Sequence, residues 1–312
     1  MKYVREAKIA KEIILSEDFR TFSMADRYRQ LQSRSNYDFS PAIKLLEHLP
    51  VFIDGDQHQT IRKVMAKQIS RTQKCQFSAS EEILERLITH ALMPQRQIDL
   101  VSEFAQPLWR AISGSIVPRE GAMLELVDEV PGLFSPLLSI RKRVEICDKI
   151  RAFLDACQAD QEDSLILLCL ASLGSRPFTG TLSLSLFDII QKNPNRRFSE
   201  IEWPDIFPSS SLRYVDRICL RQTEISHQTF NQGDRVRCFT QLESYSGEDN
   251  TRSLFGFGIH TCLGKSISER IWRLIVDKFA KSDVRATSDH IIMSPHNDPF
   301  VMAASAYVSL HN

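Results

Sequence analysis

Between Ser253 and Trp272 the chain reads SLFGFGIHTCLGKSISERIW, and Phe255, Gly256, Gly258, His260, Cys262 and Gly264 fall within ten residues, just before an amphipathic helical pattern. Glycines there allow a tight loop that can take positive φ or lie close against a flat ligand. A cysteine at the start of a helix meets orphan amides and the positive end of the helix dipole, both of which favour an anionic sulfur. Thiolate ligation of haem iron requires a sulfur of this kind, ionised and sheltered, because hydrogen bonds to it tune electron donation to the metal. Plainer readings stand beside this one. A lone cysteine is most often a small buried hydrophobe, and a glycine-rich loop before a helix is often a phosphate cradle or a simple turn. Spacing removes two alternatives: neither G-x-G-x-x-G nor G-x-x-x-x-G-K-[ST] can be written across these glycines, and His260 and Cys262 lack the second pair that zinc requires.

Apolar residues at three- and four-residue spacing predict helices over Glu6 to Leu15, Gln57 to Ser70, Ser80 to Leu92, Leu100 to Ile112, Arg141 to Cys157 and Ser164 to Gln191. The fold class is therefore mainly α. Strand signals come late: Thr223 to Thr240 reads as two short runs around the turn-like Asn231-Gln232-Gly233-Asp234, and Pro299 to Leu310 is rich in small and β-favouring residues. This predicts a small C-terminal β region. Pro194 to Pro208 reads as a long irregular connection, and with no internal repeat or linker the chain is expected to form one domain over residues 1–312.

Composition narrows the function classes. Lys and Arg total 39 and so do Asp and Glu, so the formal net charge of zero argues against general nucleic-acid binding, which needs a cationic surplus. Met1 to Ser16 carries too many charges for a secretory core. The longest apolar run, Leu165 to Leu173, falls well short of the roughly eighteen residues of a membrane span and reads as the middle of a buried helix. Seven cysteines without a Cys-x-x-Cys pair suit reduced thiols, so a cytoplasmic setting without membrane contact is the expectation.

At Phe255 to Gly264 the chain resembles the cytochrome P450 family, whose cysteine loop is Phe-Gly-x-Gly-x-His-x-Cys-x-Gly. The resemblance implies haem b (iron protoporphyrin IX), Cys262 as iron ligand, and Phe255, Gly256, His260 and Gly264 as cofactor-binding positions. It extends to Asp54–Lys67, where His58 and Arg62 stand as the family's early-helix pair that grips the haem propionates. An i, i+4 pair projects from one helix face, so two cations there can neutralise carboxylates. Arg217, following Leu212-Arg213-Tyr214, occupies the place of another propionate-binding arginine.

The departures bear on function. The family's Glu-x-x-Arg is matched only by Ser210-x-x-Arg213; the chain looks trimmed at the N-terminus and in the meander between Gln241 and Ser253. On the long helix, the family's acid–alcohol proton relay is replaced by Arg176-Pro177, with Gly174 before it and Thr179 and Thr181 after it. Pro177 is expected to kink that helix over the iron. Arg176 and Thr179 are the implied catalytic residues: an arginine able to hold a substrate carboxylate, as in the peroxide-using branch of the family, and a hydroxyl. An arginine pairing locally, with Asp163 or Glu162, is an equal alternative. The resemblance implies oxidation of a small organic substrate, with hydrogen peroxide or a separate ferredoxin/reductase as partner; Lys265 and Arg270 offer local positive charge for such docking. The alternatives are a haem-dependent dehydration or rearrangement, and a non-catalytic haem-binding subunit.

Overall fold

The computed structural model describes residues 1–75, 77–116, 122–157, 161–240, 254–294 and 299–312. The meander between Gln241 and Ser253 lies outside the described residues.

The helices are α1 (Ala7–Leu15), α2 (Met24–Ser33), α3 (Ser40–Leu46), α4 (Gly55–Cys75), α5 (Phe77–Ala91), α6 (Gln106–Ile116), α7 (Ala122–Glu129), α8 (Ile140–Cys157), α9 (Gln161–Lys192) and α10 (Lys265–Phe279). A π-helical turn, Leu100–Ala105, leads into α6. Every helix expected from periodicity is present, and α2, α3 and α7 are additional. Ser23 caps α2 by accepting a hydrogen bond from the Asp26 amide, the side-chain acceptor that an orphan N–H requires.

The expected small β region is present, six of its nine described strands lying from Tyr214 onward, and three further strands come from the first third of the chain. β1 (Lys2–Val4), β7 (Arg235–Phe239), β4 (Tyr214–Cys219) and β2 (Phe19–Thr21) form one sheet in that order, with β1 parallel to β7 and the other pairs antiparallel. A second sheet orders β3 (Arg96–Asp99), β9 (Ala303–His311) and β8 (Arg285–Met293). Both sheets thus recruit strands from the first third of the chain. The expected turn at Asn231–Asp234 is present, closed by the Asp234 amide on the Asn231 carbonyl at 3.0 Å and joining β6 (Gln228–Phe230) to β7, and a second, tighter one lies before it: β5 (Thr223–Ile225) and β6 pair across Ser226 and His227, both at positive φ. Two consecutive left-handed residues match the twist of the flanking strands.

α9 runs down the middle of the core, and its residues from Phe178 to Ser183 are all buried. By length and composition α9 is apolar enough to cross a membrane, yet 72% of its most apolar window is covered by protein, as a core helix requires. Pro177 does not interrupt it. Ser209 to Ser211 lies along α9 in an irregular path: Ser185 donates to the Ser209 carbonyl at 3.3 Å, Thr181 to the Ser211 hydroxyl at 3.2 Å, and Ser211 to the Pro177 carbonyl at 3.0 Å. Gly180 permits this approach, since a Cβ there would come within 2.8 Å of the Ser211 Cβ and 3.1 Å of the Val301 carbonyl. Gly180→Val is therefore expected to cost about 1–3 kcal/mol by overpacking, read as a lowered urea midpoint with an unchanged slope.

Ser210 and Arg213 are consequently not on a helix. Among the described residues, the stretch between Glu200 and Tyr214 contains no helix, and the Arg213 amide donates to the Pro299 carbonyl at 2.8 Å. Pro204 and Pro208 deny this segment the donors a helix needs. The expected irregular connection is present, interrupted by one 3-10 turn at Phe198–Glu200.

Candidate functional site

A cavity of about 1300 Å³ opens between α9 on one side and the cysteine loop on the other, with α4 and the β1–β7–β4–β2 sheet completing its wall. It exceeds the ~300–1,000 Å³ of a site for one drug-sized ligand.

The loop is built by its glycines. Gly256 has φ +79°, and a Cβ there would stand 3.2 Å from the His260 carbonyl; Gly258 has φ +62°. The turn brings the Cys262 amide to the Phe255 carbonyl at 2.7 Å. Phe255, Gly256, His260, Cys262 and Gly264 all line the cavity. Gly264 caps α10, and the amides of Gly264 and Lys265 reach the Cys262 sulfur. Among Cys147, Cys157, Cys169, Cys219, Cys238 and Cys262, only Cys262 is exposed, and what it is exposed to is the cavity. Burial nevertheless pushes its thiol above the ordinary value, against the opposing pull of those two amides and of Arg62. The helix start alone therefore does not offset the cost of burying an ionised sulfur.

Arg62 projects from α4 and donates to the Thr261 carbonyl at 2.7 Å, tying α4 to the cysteine loop. Arg217, 5% exposed, lines the cavity from β4 and donates to the Asp216 carbonyl at 3.2 Å. His260 is held by Asp54, whose Oδ1 lies 2.9 Å from Nε2, while the other oxygen accepts from the Thr21 amide and hydroxyl, both at 2.7 Å. Burial opposes ionisation of Asp54, but the His260 and Thr21 hydrogen bonds outweigh it and hold the carboxyl well below the usual carboxylate range. Sequence reasoning did not single out this Asp54 clamp. Its signal was only an aspartate four positions before His58.

His58 is not among the cavity-lining residues. It is 1% exposed, its ring lies 4.5 Å from that of His260, and neither ring nitrogen has a hydrogen-bond partner. Burial, then the nearby His260 and Arg62, lower its pKa from 6.5 to about 4. The unfolded chain therefore binds a proton that the folded one refuses between those values, so stability falls as pH drops through that window. Asp54, depressed in the folded state, is fully stabilising above the ordinary aspartate pKa of 3.8 and loses that contribution as pH falls below it. The urea midpoint of ligand-free protein should decline from about pH 6.5 toward 4, and His58→Phe should flatten that decline.

On α9 the expected catalytic pair, Arg176 and Thr179, does not line the cavity. The cavity-facing residues of α9 are Leu170, Leu173, Gly174, Pro177, Phe178 and Thr181, one face at helical spacing, and neither Arg176 nor Thr179 is on it. The Arg176 guanidinium instead extends toward Gly132, where a Cβ would lie 3.7 Å from its Nη2, and the Thr179 hydroxyl turns back to the Ser175 carbonyl at 2.7 Å. The helical period of 3.6 decides this, since residues two and five positions from Gly174 point off the wall it faces. Gly174 is covered by Trp109 of α6: a Cβ at 174 would come within 2.0 Å of the indole. Trp109 and Phe178, with ring centroids 5.3 Å apart, form an apolar patch on this wall. Nothing in the sequence around Trp109 marked it for this position. Lys265, named for its positive charge, pairs with Glu269 at 3.8 Å.

No group of three or more His, Cys, Asp or Glu side chains able to hold a metal occurs among the described residues. Cys262, Arg62, Arg217 and His260, all lining the cavity, fit an iron porphyrin with two propionates.

No family model and no curated protein sequence matches the chain. Solved structures do match. P450BioI, in complex with an acyl carrier protein ligated to hexadec-9Z-enoic acid, superposes with a TM-score of 0.76 at 14% identity, over 99% of this chain and 92% of that one. The thermophilic cytochrome P450 from Sulfolobus tokodaii gives 0.70 at 15% identity over 99% and 94%. The mycinamicin VIII C21 methyl hydroxylase of Micromonospora griseorubida gives 0.72 at 12% identity over 98% and 90%. The chain has the cytochrome P450 fold, mainly α with a small β component.

Proposed function

We propose that the chain is a haem-thiolate oxidoreductase that holds haem b through Cys262 and oxidises a small organic molecule. The observation that carries this reading is the placement of Cys262, the one exposed cysteine of those six, on a cavity wall that also bears Arg62, Arg217 and His260. Arg62, Arg217 and His260 would bind the two propionates. Phe255, Gly256 and Gly264 line the cavity beside the sulfur. Bound there, haem supplies an iron able to activate an oxidant.

The oxidant that suits this wall is hydrogen peroxide. Peroxide carries both electrons and its own protons, whereas dioxygen needs a ferredoxin/reductase and a proton relay. α9 presents no acid to the cavity, and the hydroxyl it does present, Thr181, is already bonded to Ser211. The same bare wall favours, as a second reading, a haem-dependent dehydration or rearrangement, in which iron acts as a Lewis acid.

Purified protein supplied with haemin and reduced under carbon monoxide should show the red-shifted Soret band of thiolate-ligated haem. Protein that folds but remains colourless would overturn the proposal. Turnover with peroxide alone supports peroxide use, turnover without oxidant or reductant supports the second reading, and dependence on an added reductase overturns both assignments of the distal wall.

A further inference from the structure

Among the described residues lining the cavity, eight are arginines, two are aspartates (Asp26 and Asp216), and none is lysine or glutamate. Two propionates cannot balance that wall. Asp26 is itself paired with Arg29 at 2.5 Å.

The surplus is organised by the sheet. The register pairs Asp216 with Arg237 and Ile218 with both Arg235 and Arg20, so Arg20, Asp216, Arg235 and Arg237 stand on one face. Arg235 lies 4.0 Å over the Phe22 ring and Arg237 lies 3.6 Å over the Tyr214 ring. Stacking fixes a guanidinium plane while leaving its edge donors free for a carboxylate. Asp216 neutralises one charge, bonding Arg237 at 2.9 Å and Arg235 at 2.5 Å. The Nε of Arg235 is buried and unbonded. Arg27, half-buried on α2, adds to the same field: burial and then the like charges of Arg143 and Arg235 hold its guanidinium below its ordinary value. Arg143 differs in kind, since it is buried and fully engaged with the Leu133, Ser135 and Leu138 carbonyls.

We infer that Arg27 and Arg235 form a carboxylate-binding site on the cavity wall, and that the substrate is an amphiphilic organic acid whose apolar part extends toward Trp109 and Phe178. The inference rests on the proposed function only in assigning Arg62 and Arg217 to a prosthetic group. A half-buried arginine inside a cavity favours a single carboxylate that can enter with its own apolar chain. Arginine also suits a carboxylate better than lysine would, because its fork donates two parallel hydrogen bonds.

Equilibrium dialysis against octanoic, dodecanoic and hexadecanoic acids and their methyl esters tests this without relying on haem. At least one acid should bind about tenfold or more tighter than its ester, the advantage expected of a hydrogen bond to a charged group. Arg27→Gln and Arg235→Gln should each remove that advantage while leaving ester binding unchanged, and Arg27→Lys should keep part of it. Arg141→Gln, at a side chain 91% exposed on α8, should change nothing. Esters matching acids at every length, no binding of any acid, or folded Gln variants that retain acid preference would overturn the site. Acid preference without a thiolate-type Soret band leaves the site standing and removes the haem reading; the band without acid preference does the reverse.

Discussion

Cys262→Ala abolishes the red-shifted Soret band of the carbon-monoxide complex and reduces peroxide-supported turnover to background, while the helical circular dichroism of the protein is retained. The loss is complete because, among Cys147, Cys157, Cys169, Cys219, Cys238 and Cys262, only Cys262 faces the cavity; the others are buried away from it. The fold survives because the loop is shaped by Gly256 and Gly258 at positive φ and by the Cys262 backbone bond to Phe255, none of which needs the sulfur. Burial keeps the free thiol protonated above its usual range, so coordination must release a proton. Haemin affinity of the wild type is then expected to weaken about tenfold for each unit of falling pH while the thiol stays protonated. A Cys262→Ala protein with an undiminished thiolate band would end the assignment.

Trp272→Ala is expected to be the most destabilising single truncation of the helix behind the cysteine loop, at about 3–5 kcal/mol. Trp272 is fully buried on α10, its ring lies 4.7 Å from that of Phe207, and its Nε1 donates to the Pro204 carbonyl at 2.9 Å. It pins α10 to the irregular segment between Glu200 and Tyr214. Truncation leaves a large void and an orphaned carbonyl, and α10 loses its seat while Cys262 is untouched. Urea denaturation should show the lost stability, and haem-loaded variant should release haem faster. A loss below about 1 kcal/mol would show that α10 is held by other contacts.

The helices α1, α4, α5, α6, α8 and α9 were legible because each carries apolar residues at three- and four-residue spacing over two or more turns. α2 was not, since MADRYRQLQS buries only Met24, Ala25 and Tyr28 among polar residues. α3, seven residues long, is too short to display a period. β1 and β2 are three-residue strands with no alternation to detect, and they exist through their pairing with β7 and β4. On α9 the same limit appears in the site: the sequence placed Arg176 and Pro177 near the distal wall, yet a shift of one residue on a helix turns a side chain by about 100°. Only packing of Trp109 onto Gly174 and of Ser211 along Gly180 set which face meets the cavity.

By itself the chain determined the cysteine loop, because positive-φ glycines, a sulfur and a following helix are local requirements that neighbouring residues satisfy together. It determined the mainly α class for the same reason. Tertiary structure alone decided that His58 lies behind His260, that Asp54 holds that histidine, and that arginines from α2, β2 and β7 share one wall. Those relations join residues more than 200 positions apart, and no local spacing encodes a distance that only the packed core brings to a few ångströms.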